Sequence, residues 1–432
     1  VGFILAAAGS AIGLGNIWRF PYTVGEHGGA AFIVLYLLCI LLLGIPVMVA
    51  ELTIGRFSRR NPVGAFEAIR PGSPWKITGY LGVITGLGIL SFYSVLAGYT
   101  LGYIFKMLAG NTTSFEAFTA NPMLALPLLA VFILINIFVV RGGVKDGIER
   151  WARILMPFLF VLLIVLIIRS VTLEGAGKGL TFYFKPDFSK VTGKTILAAL
   201  GQAFFSLSLG MGAMITYGSY LSKKDNLVVS GSYVVFFDTL IAIMAGLLIF
   251  PALFSMGMEP AAGPGLVFKV LPEIFAEIPG GNLIGAAFFL LLSIAALTST
   301  ISLFEVVVSY LVDEKHMLRR KSTVIVGLVA LALGLPSALS QGIVPWLENI
   351  PIINMSFLGL FDWIFANVML ATGAVLISLF FAWVWKARSA ADEIRQGFPG
   401  IDRYIPALDF MLKFFCPICI IIVLVFIIVD LF

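Results

Sequence analysis

Residues Gly9 to Pro21 read GSAIGLGNIWRFP, and residues Gln202 to Gly212 read QAFFSLSLGMG. Each stretch sets two or more glycines and small hydroxyl or amide side chains near the middle of an apolar run. Glycine costs a helix interior up to about 1 kcal/mol relative to alanine. At membrane depth a break in a helix is tolerated only where the freed backbone lines a cavity or is buried in protein. Close packing of helices through small residues is the alternative reading of each stretch by itself. Their placement favours breaks: Gly15 and Gly210 lie 195 positions apart. They open the first and sixth apolar stretches, as if each began a five-helix repeat.

The rest of the chain supplies the membrane setting. Of 432 residues, 60% are hydrophobic and 12% charged, with 38 phenylalanines and a mean hydropathy of +1.05. Soluble domains carry about 25% charged residues, so a soluble enzyme, a disordered chain and a nucleic-acid binder are excluded. Spans of about 20 apolar residues are predicted near 2–26, 31–55, 77–105, 124–140, 152–168, 194–221, 227–256, 281–311, 322–339, 355–385 and 406–430. The predicted class is an all-α polytopic membrane protein with eleven transmembrane helices in one domain, 1–432. Its first repeat covers about 1–170, its second about 194–385, and an extra helix about 404–432. Nineteen of the 28 Lys and Arg fall in even-numbered loops or at their edges, and seven in odd ones or at their edges. The positive-inside rule then puts the N-terminus in the cytoplasm and the C-terminus outside. The long 169–194 loop departs from the rule, as long loops do. The net charge of +5 reflects this asymmetry rather than an acidic partner. The chain opens inside an apolar run with no basic leader, so a preceding tail is expected.

Enzymatic chemistry finds little support. Cys39, Cys416 and Cys419 supply no second ligand pair for a metal, and His27 and His316 form no metalloprotease pair. Gly193-Lys194-Thr195 resembles the end of a phosphate-binding loop, but Phe188 stands where the first glycine belongs. Asn111-Thr112-Thr113 matches a glycosylation sequon, a triplet common by chance.

Paired interruptions in two halves point to the central site of a secondary transporter. Unwound carbonyls can replace the hydration shell of a cation, and half-helix N-termini can receive an anionic group. Stranded polar residues agree: Thr298-Ser299-Thr300, Asp238, Glu51, Glu305 and Asp362, since intramembrane ionisable groups mark functional sites by default. Glu51 is expected to be structural, accepting backbone N–H groups of a broken helix. Glu305 either serves the site or faces the cytoplasmic end of its helix.

GSAIGLGNIWRFPY, GQAFFSLSLGMGAMITYGSY, Leu297-Thr298-Ser299 and GIERWARILMP resemble the neurotransmitter:sodium symporter family, in particular its bacterial amino-acid branch, over essentially the whole chain. The resemblance implies the LeuT-like fold, a five-plus-five inverted repeat with helices 1 and 6 broken. It implies two Na+ sites. The first comprises the Ala11 carbonyl, Asn16, Ser206, Asp238 and the substrate carboxylate. The second comprises the carbonyls of Gly9, Ile12 and Ala295 with the hydroxyls of Thr298 and Ser299. It implies that Ala11, Gly15 and Tyr93 hold the substrate carboxylate, and that Phe205 and Ser208 help hold its amino group. Ile89, Phe205, Met211, Ser299 and Leu303 would border the side-chain pocket, with Ser206 beside it. Arg19 and Asp362 are implied as an outer gate, Tyr220 and Asp313 as an inner one. Gly147 and Pro157 match a motif that lets the fifth span unwind.

Three departures from the family pattern carry expectations. Asp238 stands where many members have Asn, and Ala242 replaces a chloride-binding serine although Tyr36, Gln202 and Ser206 persist, so chloride independence is expected. Met211 stands where related members carry Phe; an unbranched, adaptable side chain predicts a pocket taking both aliphatic and aromatic substrates. The third is the count of eleven spans rather than twelve. The function implied is sodium-coupled import of hydrophobic neutral L-amino acids through a bacterial cytoplasmic membrane. The partners are substrate, Na+ and lipid, with no nucleic acid and the oligomeric state open. A non-transporting sodium-dependent amino-acid receptor is the alternative, and a channel would need a continuous polar lining.

Overall fold

The computed structural model describes residues 2–111, 113–258, 265–277, 279–351 and 353–429. Thr112 of the sequon lies outside them. Among the described residues the architecture is helical, with a single isolated bridge between Ile350 and Met355. Helices dominate because lipid offers no partner to an unpaired backbone group, which the helix satisfies internally.

Among the described residues, nine helices are long and apolar enough to cross a membrane. The chain opens with α1 (Gly2–Ala11) and α2 (Phe20–Glu26), followed by α3 (Ala30–Ser58), α4 (Lys76–Leu108), α5 (Pro122–Arg141) and α6 (Val144–Val171). Next come α7 (Gly193–Ser206), α8 (Ala213–Ser219), α9 (Leu227–Ser255) and α10 (Gly281–Asp313). The chain ends with α11 (Arg319–Leu339), α12 (Phe357–Trp385) and α13 (Ile405–Val429). The predicted spans 2–26 and 194–221 are the two that fall short of the length, since each is cut into halves: α1 with α2, and α7 with α8. The most apolar windows of α4 and α10 are 83% and 78% buried, against 28% in α6 and α13. These two helices, packed along each other, therefore form the wall on which the broken spans lie.

Two local features refine the sequence expectation. The 169–194 stretch contains a helix, Ala176–Phe184, whose buried Tyr183 hydroxyl donates to the Ile243 carbonyl at 2.8 Å. One docked aromatic residue holds this segment against α9. The phosphate-loop look-alike is a capping box: Thr192 and Thr195 satisfy each other's backbone N–H at the start of α7.

On the face assigned to the cytoplasm, Arg56 is wholly buried and its Nε lies 2.7 Å from Glu393 Oε1. Its Nη1 donates to the Asp225 carbonyl at 2.6 Å. One guanidinium thus ties the end of α3 to the loop after α8 and to the helix Ala387–Arg395.

Candidate functional site

The first break spans Ile12 to Leu14, and side chains cap the amides it frees. The Gly13 N–H donates to Asn16 Oδ1 at 2.9 Å, and the Leu14 N–H donates to the Tyr93 hydroxyl oxygen at 2.7 Å. Helix ends leave such donors unpaired, and a short side chain a turn away is their ordinary partner. Gly13 must be glycine for space: a Cβ there would lie 2.3 Å from Ser299 Oγ.

The second break runs from Leu207 to Gly212, with Ser208, Gly210 and Gly212 at φ of 53°, 86° and 75°. Left-handed backbone suits glycine but strains serine. The Ser208 hydroxyl offsets this by donating to the Ser10 carbonyl at 3.2 Å, which pins one break to the other. The Gly210 N–H donates to buried Glu51 Oε1 at 2.7 Å, the structural part expected of that carboxylate. A Cβ on Gly210 would lie 2.1 Å from the Leu370 carbonyl oxygen, and one on Gly373 would lie 2.0 Å from that of Gly210. Backbone therefore meets backbone where α12 crosses the break.

All ten residues expected around the substrate line one cavity between the breaks, together with Gly13 and Leu370. Its walls are Ile89 and Tyr93 of α4, Phe205 and Ser206 of α7, Met211, Ser299 and Leu303 of α10, and the loosened backbone at Ala11, Gly15 and Ser208. The atoms leave about 380 Å³ of space, open solvent included. Gly13 and Leu370 are the lining residues the sequence reading missed. Glycine spacing signalled the first, while Leu370 bore no mark distinguishing it from any apolar residue of α12.

Beside the cavity, Asn16, Ser206 and Asp238 converge in the dry core. Asn16 Nδ2 lies 2.7 Å from Asp238 Oδ1 and 3.1 Å from Ser206 Oγ, while Ser206 Oγ donates to Asp238 Oδ2 at 2.7 Å. The Tyr36 hydroxyl lies 3.3 Å from Ser206 Oγ. Gln202 Nε2 donates to the Gly15 carbonyl at 2.9 Å, and its own buried Oε1 finds no partner among the described residues.

A second group of oxygens meets where α1 faces α10. Thr298 Oγ1 lies 3.0 Å from the Ala295 carbonyl oxygen and 3.3 Å from that of Ile12; Ser299 Oγ lies 3.1 Å from the latter. A Cβ on Gly9 would sit 3.3 Å from both Thr298 Cβ and Met156 Sδ, so α6 closes the group one residue before Pro157. Oxygen donors without nitrogen or sulfur suit a hard cation.

Above the cavity, Arg19 stacks over the Phe205 ring at 4.4 Å, and the vestibule there is lined by Trp18, Arg19, Tyr93, Phe205 and Asp362 among others. The expected outer pair is not in direct contact. Arg19 Nη2 donates to Asn367 Oδ1 at 3.1 Å, and Asn367 Nδ2 donates to Asp362 Oδ2 at 3.2 Å. The cause is the wide turn over Asp362–Met369, which brings residue 367 back over residue 362. Nor do the expected inner residues meet each other. Tyr220 donates to buried Glu305 Oε1 at 2.7 Å, while Asp313 Oδ2 accepts from the Asn61 N–H at 3.1 Å. Glu305 also accepts from both terminal guanidinium nitrogens of Arg319, which ties its helix to the start of α11 rather than to the cavity.

The comparisons follow this geometry. The Sodium:neurotransmitter symporter family matches residues 1–119 and 114–431. The chain is 39% identical to the sodium-dependent transporter YhdH of Bacillus subtilis, over 98% of this chain and 95% of that one. It is 37% identical to a sodium-dependent transporter of Haemophilus influenzae, over 89% and 88%. The crystal structure of MhsT in complex with L-phenylalanine superposes with a TM-score of 0.89 at 47% identity, covering 98% of this chain and 97% of that one. The fold is LeuT-like, the molecule is a multi-pass membrane protein and not an enzyme, and the chain belongs to the sodium:neurotransmitter symporter family.

Proposed function

We propose that this sodium-dependent symporter imports hydrophobic neutral L-amino acids, aliphatic and aromatic, by alternating access, with two sodium ions and without chloride. The observation that carries the reading is the cavity between the two breaks, whose lining combines the hydroxyls of Tyr93, Ser206, Ser208 and Ser299 with the apolar Ile89, Met211, Leu303 and Leu370. The amides and hydroxyls near Gly13, Gly15 and Tyr93 suit a carboxylate. The apolar wall suits a side chain, and the MhsT structure holds an amino acid of this class.

In this reading Asn16, Ser206, Asp238 and the Ala11 carbonyl hold one sodium ion beside the substrate carboxylate. Gly9, Ile12, Ala295, Thr298 and Ser299 hold the other. A cation next to the carboxylate raises substrate affinity, and by linkage substrate tightens sodium by the same factor. Phe205 and Tyr93 lie between cavity and vestibule and close over the substrate, with Arg19 and Asp362 as the outer gate and Tyr220 and Asp313 as the inner one. Asp238 supplies the fixed negative charge that makes an external anion unnecessary. The protein sits in a bacterial cytoplasmic membrane in eleven spans, with its N-terminus inside and its C-terminus outside.

A neutral zwitterion with two Na+ moves two charges inward. At about 2.3 kcal/mol per charge per 100 mV, this contributes roughly three decades of accumulation before the sodium gradient adds its share. The test is uptake of labelled leucine and tryptophan into proteoliposomes under an inward sodium gradient. Accumulation that requires sodium, is indifferent to replacing chloride by gluconate, and shows mutual competition is expected. Sodium-dependent binding without accumulation overturns import, and a chloride requirement overturns the role given to Asp238.

A further inference from the structure

A second cavity lies on the face that the loop charges assign to the outside, bounded by the end of α4, residues 110–111 and 113–116, the segment Phe268–Ala276 and Asn282. Lys106 lines it and is only 8% exposed. Its ammonium donates to the Tyr103 hydroxyl oxygen at 3.3 Å and lies 4.3 Å from the centre of that ring. Among the described residues no carboxylate lies within ion-pairing distance of it. The other lysine in the wall, Lys269, is already paired with Glu116 at the exposed rim. The Lys269 ammonium holds the Glu116 carboxyl below its usual range. Met107, Phe115 and Phe268 supply apolar surface around Lys106, and Asn111 and Asn282 supply amides.

A buried ammonium with one neutral hydrogen bond, on which Glu116 acts only from beyond ion-pairing distance, is costly unless an anion reaches it. The open space beside it is where that anion sits. We propose that this cavity binds a monocarboxylate with an apolar body, its carboxylate on Lys106 and its body against Phe115 and Phe268. Two sources share this chemistry, a free hydrophobic amino acid and a fatty acid from the bilayer. Phe105 and Leu108 beside Lys106 are exposed apolar side chains, which suits the second source. The cavity is separate from the central one, and the oxygen clusters assigned to sodium are not part of it. Phe268 also lies 6.3 Å from Trp18, which borders the vestibule, so an occupant rests against the access route.

The test uses the whole protein in nanodiscs of zwitterionic lipid, with potassium replacing sodium, and labelled L-leucine or labelled octanoate as probes. Saturable binding above that of empty discs is expected for at least one probe. Lys106→Gln should weaken it at least about tenfold, as expected for a lost charge-assisted bond, while Lys106→Arg should preserve it. Leucine binding identifies free amino acids as the source; octanoate binding alone identifies fatty acids. Ala276→Trp, which fills the cavity from its exposed wall and leaves Lys106 in place, should abolish the same signal. Sodium-dependent leucine binding, measured in parallel, should survive all three substitutions; its loss in every protein, wild type included, would count against the import reading alone. Binding of neither probe, or binding indifferent to both Lys106→Gln and Ala276→Trp, overturns the proposal.

Discussion

Replacing Asp238 by Asn isolates one quantity, the fixed charge beside the first proposed sodium site. The geometry survives the change. Asn16 Nδ2, now 2.7 Å from Oδ1, can still donate to the new side-chain carbonyl, and Ser206 Oγ, now 2.7 Å from Oδ2, can accept from the new amide. Only the charge is lost. Asp238 holds the ion through an oxygen that the new side-chain carbonyl can replace, so the charge removed lies no farther than about 5 Å from the ion. At an effective dielectric of about 20 the attraction is about 3 kcal/mol, roughly two decades in affinity. The assay is binding of labelled leucine as a function of sodium, in chloride and in gluconate. The half-saturating sodium concentration of the wild type should not depend on the anion. Asp238→Asn should raise it roughly a hundredfold in gluconate, with chloride recovering part of the loss because Tyr36, Ser206 and Gln202 remain as donors. An unchanged sodium midpoint in gluconate would refute the charge argument.

Met211→Phe should leave leucine uptake within about twofold but raise the tryptophan concentration needed for half-competition by about tenfold or more, because a rigid ring replaces an adaptable wall. Arg319→Ala should cost about 2–4 kcal/mol of thermal stability in detergent, the low side of a broken buried pair because Arg319 is 25% exposed. Arg319→Ala with Glu305→Gln should cost less than the sum of the two single changes, and additive losses would show that the pair is not coupled. Gly373→Ala sets a methyl group against the Gly210 carbonyl and should cost about 1–3 kcal/mol together with most transport. Normal uptake would mean that α12 does not hold the break.

The two breaks and the cavity between them were legible because their chemistry is local. Glycines and small polar side chains inside an apolar run have few other uses at membrane depth, and the family resemblance then supplied the individual roles. Glu51 was legible for the same reason, since a carboxylate at that depth needs a donor and a broken helix supplies one. Pairings made by tertiary approach were harder to read. Asn367 mediates between Arg19 and Asp362 only because α12 winds loosely there. Arg319 reaches Glu305 across a turn between two helices, and Tyr183 docks a segment that reads as loop. Lys106 looked like one more loop cation, and only the folded chain shows it buried and, among the described residues, out of contact with any carboxylate.

The halves of the second broken span also bear on how the chain enters the membrane. At 1.5 Å per residue the 14 residues of α7 reach about 21 Å and the seven of α8 about 10 Å, against an apolar thickness of about 30 Å. Neither half can cross alone, so a newly made segment must enter as a continuous helix or be sheltered by neighbours. Glu51, the carboxylate that receives the Gly210 amide, is already made by then. The backbone of α12 that covers the same turn is not, because Leu370 follows Gly210 by 160 positions. At about 5–20 residues per second the wait is roughly 8–30 s. Synthesis therefore delivers the floor of the central cavity well before its last wall, and a chain released before α12 has Glu51 on the turn but no backbone packed over it.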